Sequence, residues 1–136
     1  MAQLLQAPLA ILGRLCLVAT FALSALANKI PNFSHVVQEM TSAGIPFPTV
    51  ALAGSIGFLL VGSVSVAIGY RARFGALLLF LFLVPATYYF HAPWRAATPD
   101  EATQQMIHFL KNVGLMGAML LITATGSGPG SLDAKK

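Results

Sequence analysis

The sequence has little charge of either sign. Charged residues make up 9% of its 136 positions, with eight Lys or Arg against four Asp or Glu, whereas a soluble domain usually carries about a quarter. Apolar residues reach 57%, so too few polar side chains remain to coat a water-facing surface. This composition excludes an ordinary soluble enzyme and a disordered chain, and it indicates lipid as the main solvent.

Other chemistry-bearing residues are scarce as well. The single cysteine, Cys16, lies inside an apolar run, which excludes an internal disulfide and thiol exchange of the paired-cysteine kind. The net charge is +4, but no basic cluster is interleaved with polar residues, so a nucleic-acid partner is not expected. No carboxylate pair, phosphate loop or Ser/His/Asp set is visible, and no acid lies within an apolar run, which argues against proton relays built on buried carboxylates.

Four apolar runs are long enough to cross a bilayer, which takes roughly 20 residues of helix. They cover about residues 8–27, 49–70, 74–90 and 105–125. Proline and glycine punctuate their ends, as at Pro8, Pro93 and Gly126. Since no second domain or internal repeat is visible, the sequence predicts an all-α transmembrane four-helix bundle, one domain over residues 1–136.

A shorter amphipathic segment, about residues 32–43, lies between the first two spans. Phe33, Val36, Val37 and Met40 recur at helical spacing, with His35, Gln38 and Glu39 opposite. At about a dozen residues this helix is too short to span a bilayer. We expect it to lie along the membrane surface.

The first span imitates a cleavable signal peptide, since Arg14 precedes an apolar run that ends in Ala25-Leu26-Ala27. Cleavage would leave three spans and remove residues that complete a polar cluster, so we interpret the segment as a retained span. Arg14 lies about one and a half turns inside the span, where its long stem is expected to snorkel outward.

The distribution of Lys and Arg predicts the orientation. Five positive residues share one face: Arg14, Arg71, Arg73, Lys135 and Lys136. The other face mixes three positive residues with acids: Lys29, Arg95 and Lys111 with Glu39, Asp100 and Glu101. The positive-inside rule then places both termini in the cytoplasm and the short amphipathic helix on the periplasmic side of a bacterial inner membrane.

The fourth span carries a polar stripe. Gln104, His108, Lys111 and Asn112 fall within an arc of about 100°. Burying an ammonium group in hydrocarbon costs a few kcal/mol, so the stripe must face the bundle, a cavity or the interface. A structural role, with Lys111 snorkelling and His108 bound to a backbone carbonyl, competes with a functional one. We favour the functional interpretation because ionisable groups inside a membrane are functional by default.

Further polar groups reach the same level of the bundle. Tyr88 and His91 share a face at the end of the third span, and Asn28 and Lys29 end the first. The predicted pocket offers donors to carbonyl oxygens or to an anion, with an apolar mouth. A quinone headgroup fits this description, as do a lipid headgroup and a small oxyanion.

Other features of these spans have simpler explanations. Tyr89 and Trp94 are interpreted as an interfacial aromatic belt. His91 and His108 could ligate a haem, but their spacing does not require one, so neither haem nor a covalently bound cofactor is expected. Pro85 should kink the third span and open space beside Tyr88. The second span has small residues on one face, which predicts close packing of another helix: Gly54, Gly57, Gly62, Ser65 and Gly69.

Seven stretches, taken in order, resemble the DoxX family of small bacterial inner-membrane proteins. They are Gly13-Arg14-Leu15, Asn28-Lys29, residues 43–48, Gly69 with Arg71 and Arg73, residues 91–94, residues 105–112 and residues 128–133. The resemblance implies a four-helix membrane protein of a family named for a subunit of a terminal quinol oxidase and of thiosulfate to quinone oxidoreduction. The functional positions that it implies are Lys29, His91, Trp94, His108, Lys111 and Asn112. The sequence departs from many members at Leu59, where they carry a glutamate, so a mechanism that requires a buried acid there is not expected.

The pocket and the resemblance together predict a membrane subunit or accessory protein of a redox system that binds a quinone-like ligand. Two alternatives stay open. One is a non-catalytic scaffold that recruits a soluble enzyme through the amphipathic helix and the Trp94 loop, and the other is a small transporter of a lipid or an organic anion. Oligomerisation and turnover by this chain alone are left open by the sequence.

Overall fold

Five α-helices make up most of the described part of the chain. The computed structural model describes residues 1–135, in which α1 spans Ala2–Leu23, α2 Phe33–Ser42, α3 Pro48–Ile68, α4 Ala72–Phe90 and α5 Pro99–Thr125. A π-helical segment, Ser24–Lys29, extends α1, and 3₁₀ turns cover Pro93–Arg95 and Asp133–Lys135. No strand occurs among the described residues, so the predicted all-α class is confirmed.

Four of these helices are long and apolar enough to cross a membrane: α1 with its π-helical extension, α3, α4 and α5. The predicted four spans are therefore confirmed, although two begin earlier than expected. Helix α1 starts at Ala2 and contains Pro8, and α5 starts at Pro99. Both differences have the same reason. The apolar runs predict only the part of each helix that can lie in the hydrocarbon core of the bilayer, whereas each helix begins several residues earlier.

A reciprocal cap explains the early start of α5. The Thr98 hydroxyl accepts a hydrogen bond from the backbone N–H of Glu101 at 3.2 Å, and the Glu101 carboxylate accepts one from the Ala97 N–H at 3.0 Å. Asp100 and Glu101 also place negative charge at the positive end of the helix dipole. This pattern, Thr98 followed three residues later by Glu101, is that of a capping box. It differs in that the Glu101 carboxylate accepts from the N–H of Ala97, one residue before the N-cap Thr98.

The core lies where the four spans meet. Helix α3 packs against α1 on one side and α4 on the other, and α5 packs against α4. Phe21, Leu59, Leu79 and Met119 contribute one fully or almost fully buried side chain from each span. Leu59 is therefore part of an apolar core. It stands where the resemblance implies a glutamate in many members, so this core has no charge to bury.

Helices α3 and α4 cross with their backbones in close approach. A Cβ on Gly62 would lie 2.7 Å from Leu79 Cγ and 2.9 Å from the Gly75 carbonyl oxygen, so only glycine fits. The predicted small-residue face is therefore a packing face over its second half. It is wrong for Gly54 and Gly57, where a Cβ would meet nothing within 4 Å. At these two positions no neighbouring helix approaches the α3 backbone closely enough to require glycine.

The amphipathic segment folds as α2, within two residues of the predicted bounds. Its apolar face packs on the end of the bundle, where Val36 and Met40 are buried against Leu52 of α3. The helix therefore covers one end of the four spans, which we call the α2 end. The opposite end, with the α3–α4 turn and the C-terminal segment, is the tail end.

The C-terminal segment folds back across the tail end and is held by Arg14. The guanidinium donates to the carbonyl oxygens of Ser127, Pro129, Gly130 and Ala67 at 2.6, 3.2, 2.9 and 3.4 Å. The side chain is 5% exposed, so the prediction that it snorkels outward is wrong. The returning loop supplies carbonyl oxygens inside the fold, and these replace the water that the cation would otherwise seek.

The same segment caps α4. The two carboxylate oxygens of Asp133 accept hydrogen bonds from the backbone N–H groups of Arg71 and Ala72, each at 3.0 Å. The Asp133 N–H donates to the carbonyl of Gly69 at 2.8 Å. Gly69 ends α3 with a φ of +68°, a left-handed conformation that favours glycine. Residues 128–133, quoted above for the resemblance, therefore stabilise the fold by joining α1, α3 and α4.

Candidate functional site

A cavity of about 630 Å³ opens at the α2 end, and all five helices contribute to its wall. The wall includes nine polar or charged residues besides Tyr89: Thr20, Ser24, Asn28, Lys29, Glu39, Ser55, His91, Lys111 and Asn112. Most of the remaining lining is apolar and includes Phe21, Leu52, Phe58, Phe82 and Leu115. The structure thus brings together five of the eight predicted site residues: Asn28, Lys29, His91, Lys111 and Asn112.

The π-helical segment sets the direction of the first-span residues. Ile30 N–H donates to the Ala25 carbonyl, five residues back, so residues five apart lie one turn above each other. Lys29 Nζ accordingly donates to Ser24 Oγ at 2.6 Å. In an α-helix these two side chains would be rotated by about 140° from each other. The wider turn therefore allows Ser24, Asn28 and Lys29 to line one cavity.

Lys29 is held at the cavity wall by a second contact. Its ammonium lies 5.3 Å from the centre of the Phe82 ring on α4, which is within the range of a cation–π interaction. The side chain is partly buried, and its stem runs along apolar surface. Ser24 and the Phe82 ring therefore replace part of the water that this cation loses inside the fold. They also restrict its side chain before any ligand binds.

Helix α5 supplies two neighbouring residues with different roles. Asn112 is buried, and its Nδ2 donates to Thr87 Oγ1 of α4 at 3.0 Å, so it ties the two helices together. Lys111 lines the cavity and, within residues 1–135, makes no hydrogen bond or ion pair. Its three N–H donors are therefore available to a ligand.

His91 lies at the rim, between α4 and α5. Its Nδ1 is 3.1 Å from Gln105 Oε1, and in the tautomer with a proton on Nδ1 this leaves Nε2 as an acceptor. The His108 ring lies 5.0 Å away, between ring centres, at an angle of 33°. Sequence reasoning chose Gln104 for the polar stripe, whereas the structure uses Gln105, because α5 turns that residue toward His91.

Three predicted site residues lie outside the cavity wall. His108 is at the rim, exposed, and contacts His91. Tyr88 is 52% exposed and lies under the Arg95 guanidinium at 4.5 Å. Trp94 is 62% exposed and packs edge-on against Phe109. The space beside Pro85 opens on the other face of α4, so Tyr89, which the sequence analysis assigned to an aromatic belt, lines the cavity in place of Tyr88.

Glu39 is a cavity residue that the sequence reasoning missed. It lies on α2, 3.7 Å from the Nδ1 of His35, on the face that the amphipathic pattern assigned to solvent. The residue lies outside the apolar runs, but α2 folds over the end of the bundle and brings its carboxylate to the cavity. A carboxylate therefore lines the same cavity as Lys29 and Lys111, although none of the apolar runs of the sequence contains an acid.

The arrangement can bind an amphiphile with an oxygen-bearing head. Lys29, Lys111 and Asn28 offer donors, and Glu39 and His91 can accept or hold a proton. The phenyl and leucyl side chains of the wall suit an apolar ring or chain. No group of three or more His, Cys, Asp or Glu side chains in the part of the chain that the structure describes is placed to hold a metal ion.

Comparison with known proteins identifies the family. A family model described as DoxX matches residues 9–92. The chain belongs to the DoxX family. It is similar to inner membrane protein YphA of Escherichia coli (strain K12), with 30% identity over 127 residues, which covers 93% of this chain and 89% of that protein. No solved structure matches the chain. With its four membrane-spanning helices, this DoxX protein is a multi-pass inner-membrane protein surrounded by the lipid bilayer.

The two matches cover different parts of the cavity. The DoxX model ends at residue 92, so it includes Lys29 and His91 but not α5. The alignment with YphA is long enough that it must also include α5, which carries Lys111 and Asn112. Both halves of the cavity thus lie in sequence shared with a relative.

Proposed function

We propose that this protein binds a quinone, or a lipid-soluble ligand of similar chemistry, as the membrane subunit or accessory protein of a redox system. The observation that carries the proposal is the cavity at the α2 end, where two lysines and a histidine meet an otherwise largely apolar wall. Its volume of about 630 Å³ lies within the range of about 300–1,000 Å³ for small-molecule sites.

The donor set supports an oxygen-bearing headgroup. The N–H donors of Lys111 have no protein partner among the described residues. The Lys29 ammonium donates one hydrogen bond to Ser24 and lies near the Phe82 ring, so it keeps further N–H donors for a ligand. Ammonium groups donate strongly to carbonyl oxygens and to anions. A headgroup between the two helices would be oriented by both cations, and an attached chain would lie against Phe21, Leu52 and other apolar residues.

Acid–base groups stand beside the cations. A bound quinone supplies the redox chemistry, which couples electrons to protons at its two oxygens. The chain provides the Glu39 carboxylate and the Nε2 atom of His91 as places where a proton can be held near such a ligand. Both lie at the α2 end rather than deep between the spans, so proton exchange with water needs no path through the bundle.

The charge distribution supports an orientation in which the α2 end faces the periplasm and both termini lie in the cytoplasm. Arg71, Arg73 and Lys135 lie at the tail end, whereas Glu39, Asp100 and Glu101 lie on α2 and at the start of α5. This is the asymmetry of the positive-inside rule. The proposed ligand site is then on the periplasmic side.

Lys111→Met is expected to weaken binding of a short-chain ubiquinone about tenfold, because it removes the hydrogen bonds that a charged donor gives to the headgroup. Trp94 is the single tryptophan and lies at the α2 end, so quenching of its fluorescence by the quinone reports binding in detergent. Lys29→Met should weaken binding as well, and the exposed Lys135→Met serves as the matched loss of one positive charge.

Saturable quenching that is weakened in both cavity variants and unchanged in Lys135→Met supports the proposal. Quenching without saturation, or the same dissociation constant in all four proteins, would count against it. A stable stoichiometric protein partner, purified with a chain that binds no quinone, would support the scaffold alternative. Anion or lipid flux in vesicles that Lys111→Met abolishes would support the transporter alternative.

A further inference from the structure

A second cavity, of about 700 Å³, lies at the tail end, far from the α2 end. Its wall joins the first turn of α4 to the C-terminal segment. The residues that line it include Arg71, Arg73, Phe74, Gly126, Ser127 and Asp133. The proposed function above makes no use of this cavity.

The charge around this cavity is strongly unbalanced. The described tail end carries four cationic side chains: Arg14, Arg71, Arg73 and Lys135. Asp133 is the only acid at this end, because the other three acids of the sequence lie on α2 and at the start of α5. Asp133 already accepts two backbone N–H groups of α4. The field in the cavity therefore favours an anion.

Both cavity arginines lack an acidic partner within residues 1–135. The Arg71 guanidinium lies 5.9 Å from the centre of the Tyr70 ring. Arg73 is packed beside the backbone at the end of α5, with Nε 3.7 Å from the position of a Cβ on Gly126. Both arginines line the cavity, and planar guanidinium groups suit a phosphate, which accepts several N–H bonds at once.

A buried donor in the C-terminal part of the lining is also without a partner among the described residues. Ser127 is 8% exposed, and its hydroxyl makes no hydrogen bond in the part of the chain that the structure describes. Leaving a buried hydroxyl unpaired is unfavourable. The Ser127 backbone is fixed, since its carbonyl accepts the shortest of the Arg14 bonds. The fold thus holds an unused donor in the lining of the cavity that also contains the two arginines.

We infer that the tail-end cavity binds a phosphate group through Arg71 and Arg73, with Ser127 as a further donor. Two sources share this chemistry, the headgroup of an anionic phospholipid and free phosphate in water. The position at the end of four spans places the cavity at the level of lipid headgroups. Phe74, at its edge, is exposed and available to an acyl chain, so the phospholipid is the source that the structure favours.

The test compares lipid binding by wild-type protein and by Arg71→Gln/Arg73→Gln, measured by native mass spectrometry from detergent. Wild type should retain phosphatidylglycerol at least about tenfold more tightly than phosphatidylcholine, because two charged hydrogen-bonding groups recognise the net negative headgroup. The double variant should lose this preference. Lys135→Gln, which removes one exposed positive charge from the same end, should keep it.

A second arm titrates inorganic phosphate into lipid-free protein by calorimetry. Phosphate binding that the double variant loses, without a preference for phosphatidylglycerol, supports the site with phosphate in water as the source. A double variant that retains phosphatidylglycerol like wild type overturns the inference, and so does wild type that binds neither probe. If the double variant does not fold, Arg73→Gln alone carries the comparison, since its side chain is exposed. If the tail-end cavity binds no phosphate but the proposed function holds, quinone binding at the α2 end is unchanged.

Discussion

Replacing Arg14 with methionine is expected to lower the free energy of unfolding by about 3–5 kcal/mol, because several buried hydrogen bonds from a charged donor, each worth about 1.5 kcal/mol or more, are lost. Methionine approximates the length of the side chain but donates no hydrogen bond. The carbonyl groups of Ser127, Pro129 and Gly130 would then lose their donors, and the C-terminal segment would be released from α1. Reversible unfolding in mixed micelles measures the effect.

Two controls separate this role from charge alone. Lys135→Met removes an exposed positive charge from the same segment and should change the stability by less than about 0.5 kcal/mol. Arg14→Lys keeps the charge but cannot reach four carbonyl oxygens with one ammonium group, so it should fall between the two. Wild-type stability in Arg14→Met would show that the carbonyl bonds do not hold the segment.

Gly62→Leu is expected to destabilise the bundle by about 3 kcal/mol or more, at the upper end of the cost of overpacking. The first carbon of the new side chain would already lie 2.8 Å from Leu79 Cδ2 and 2.9 Å from the Gly75 carbonyl oxygen. The Leu79 side chain can move, but the Gly75 oxygen is part of the α4 backbone. The helices must therefore separate, and thermal unfolding in detergent should report the loss.

Gly57→Leu is the matched control on the same helix. A Cβ on Gly57 meets nothing within 4 Å, so leucine there should change the stability little and can add apolar surface toward lipid. Equal destabilisation by both substitutions would mean that helix propensity or insertion, rather than the α3–α4 crossing, decides the outcome.

The spans and α2 could be predicted because each depends on a one-dimensional property of the sequence. A run of apolar residues must be as long as the bilayer is thick, and an amphipathic segment shows its two faces by spacing alone. Such patterns also locate Lys29 and Lys111, because a cation near an apolar run needs a specific environment. They do not tell where a helix begins, which at α5 depends on the cap made by Thr98 and Glu101.

The residues that the sequence did not predict depend on contacts between distant parts of the chain. Arg14 is held by a loop more than one hundred residues away, and no local pattern indicates that this loop returns. Glu39 reaches the cavity because α2 folds over it, and Gln105 replaces Gln104 because of the rotation of α5. The π-helical turn that orients Lys29 has no composition that distinguishes it from α-helix.

The predicted packing face on α3 shows the same limit within one helix. Its five small residues follow one arc, but Gly62 lies at the crossing with α4 and Gly54 lies at the cavity. The spacing identifies residues that share a face and not the distance to the helix opposite. That distance depends on where along its length α3 is crossed by a neighbouring helix.

The cavity itself can be tested by filling it. A Cβ on Gly54 meets nothing within 4 Å, and the residue lines the cavity, whereas Gly57 has the same freedom and does not line it. Phenylalanine at position 54 would occupy the space between Lys29 and α3, and phenylalanine at position 57 would leave it open. The two variants should be equally stable.

The decisive measurement is therefore the saturable binding of a short-chain ubiquinone to Gly54→Phe and Gly57→Phe, each at matched stability. Gly54→Phe is expected to abolish saturable quenching of Trp94, whereas Gly57→Phe is expected to bind like the wild type. Wild-type binding by Gly54→Phe, or the absence of saturable binding in every variant including wild type, would contradict a ligand site in this cavity.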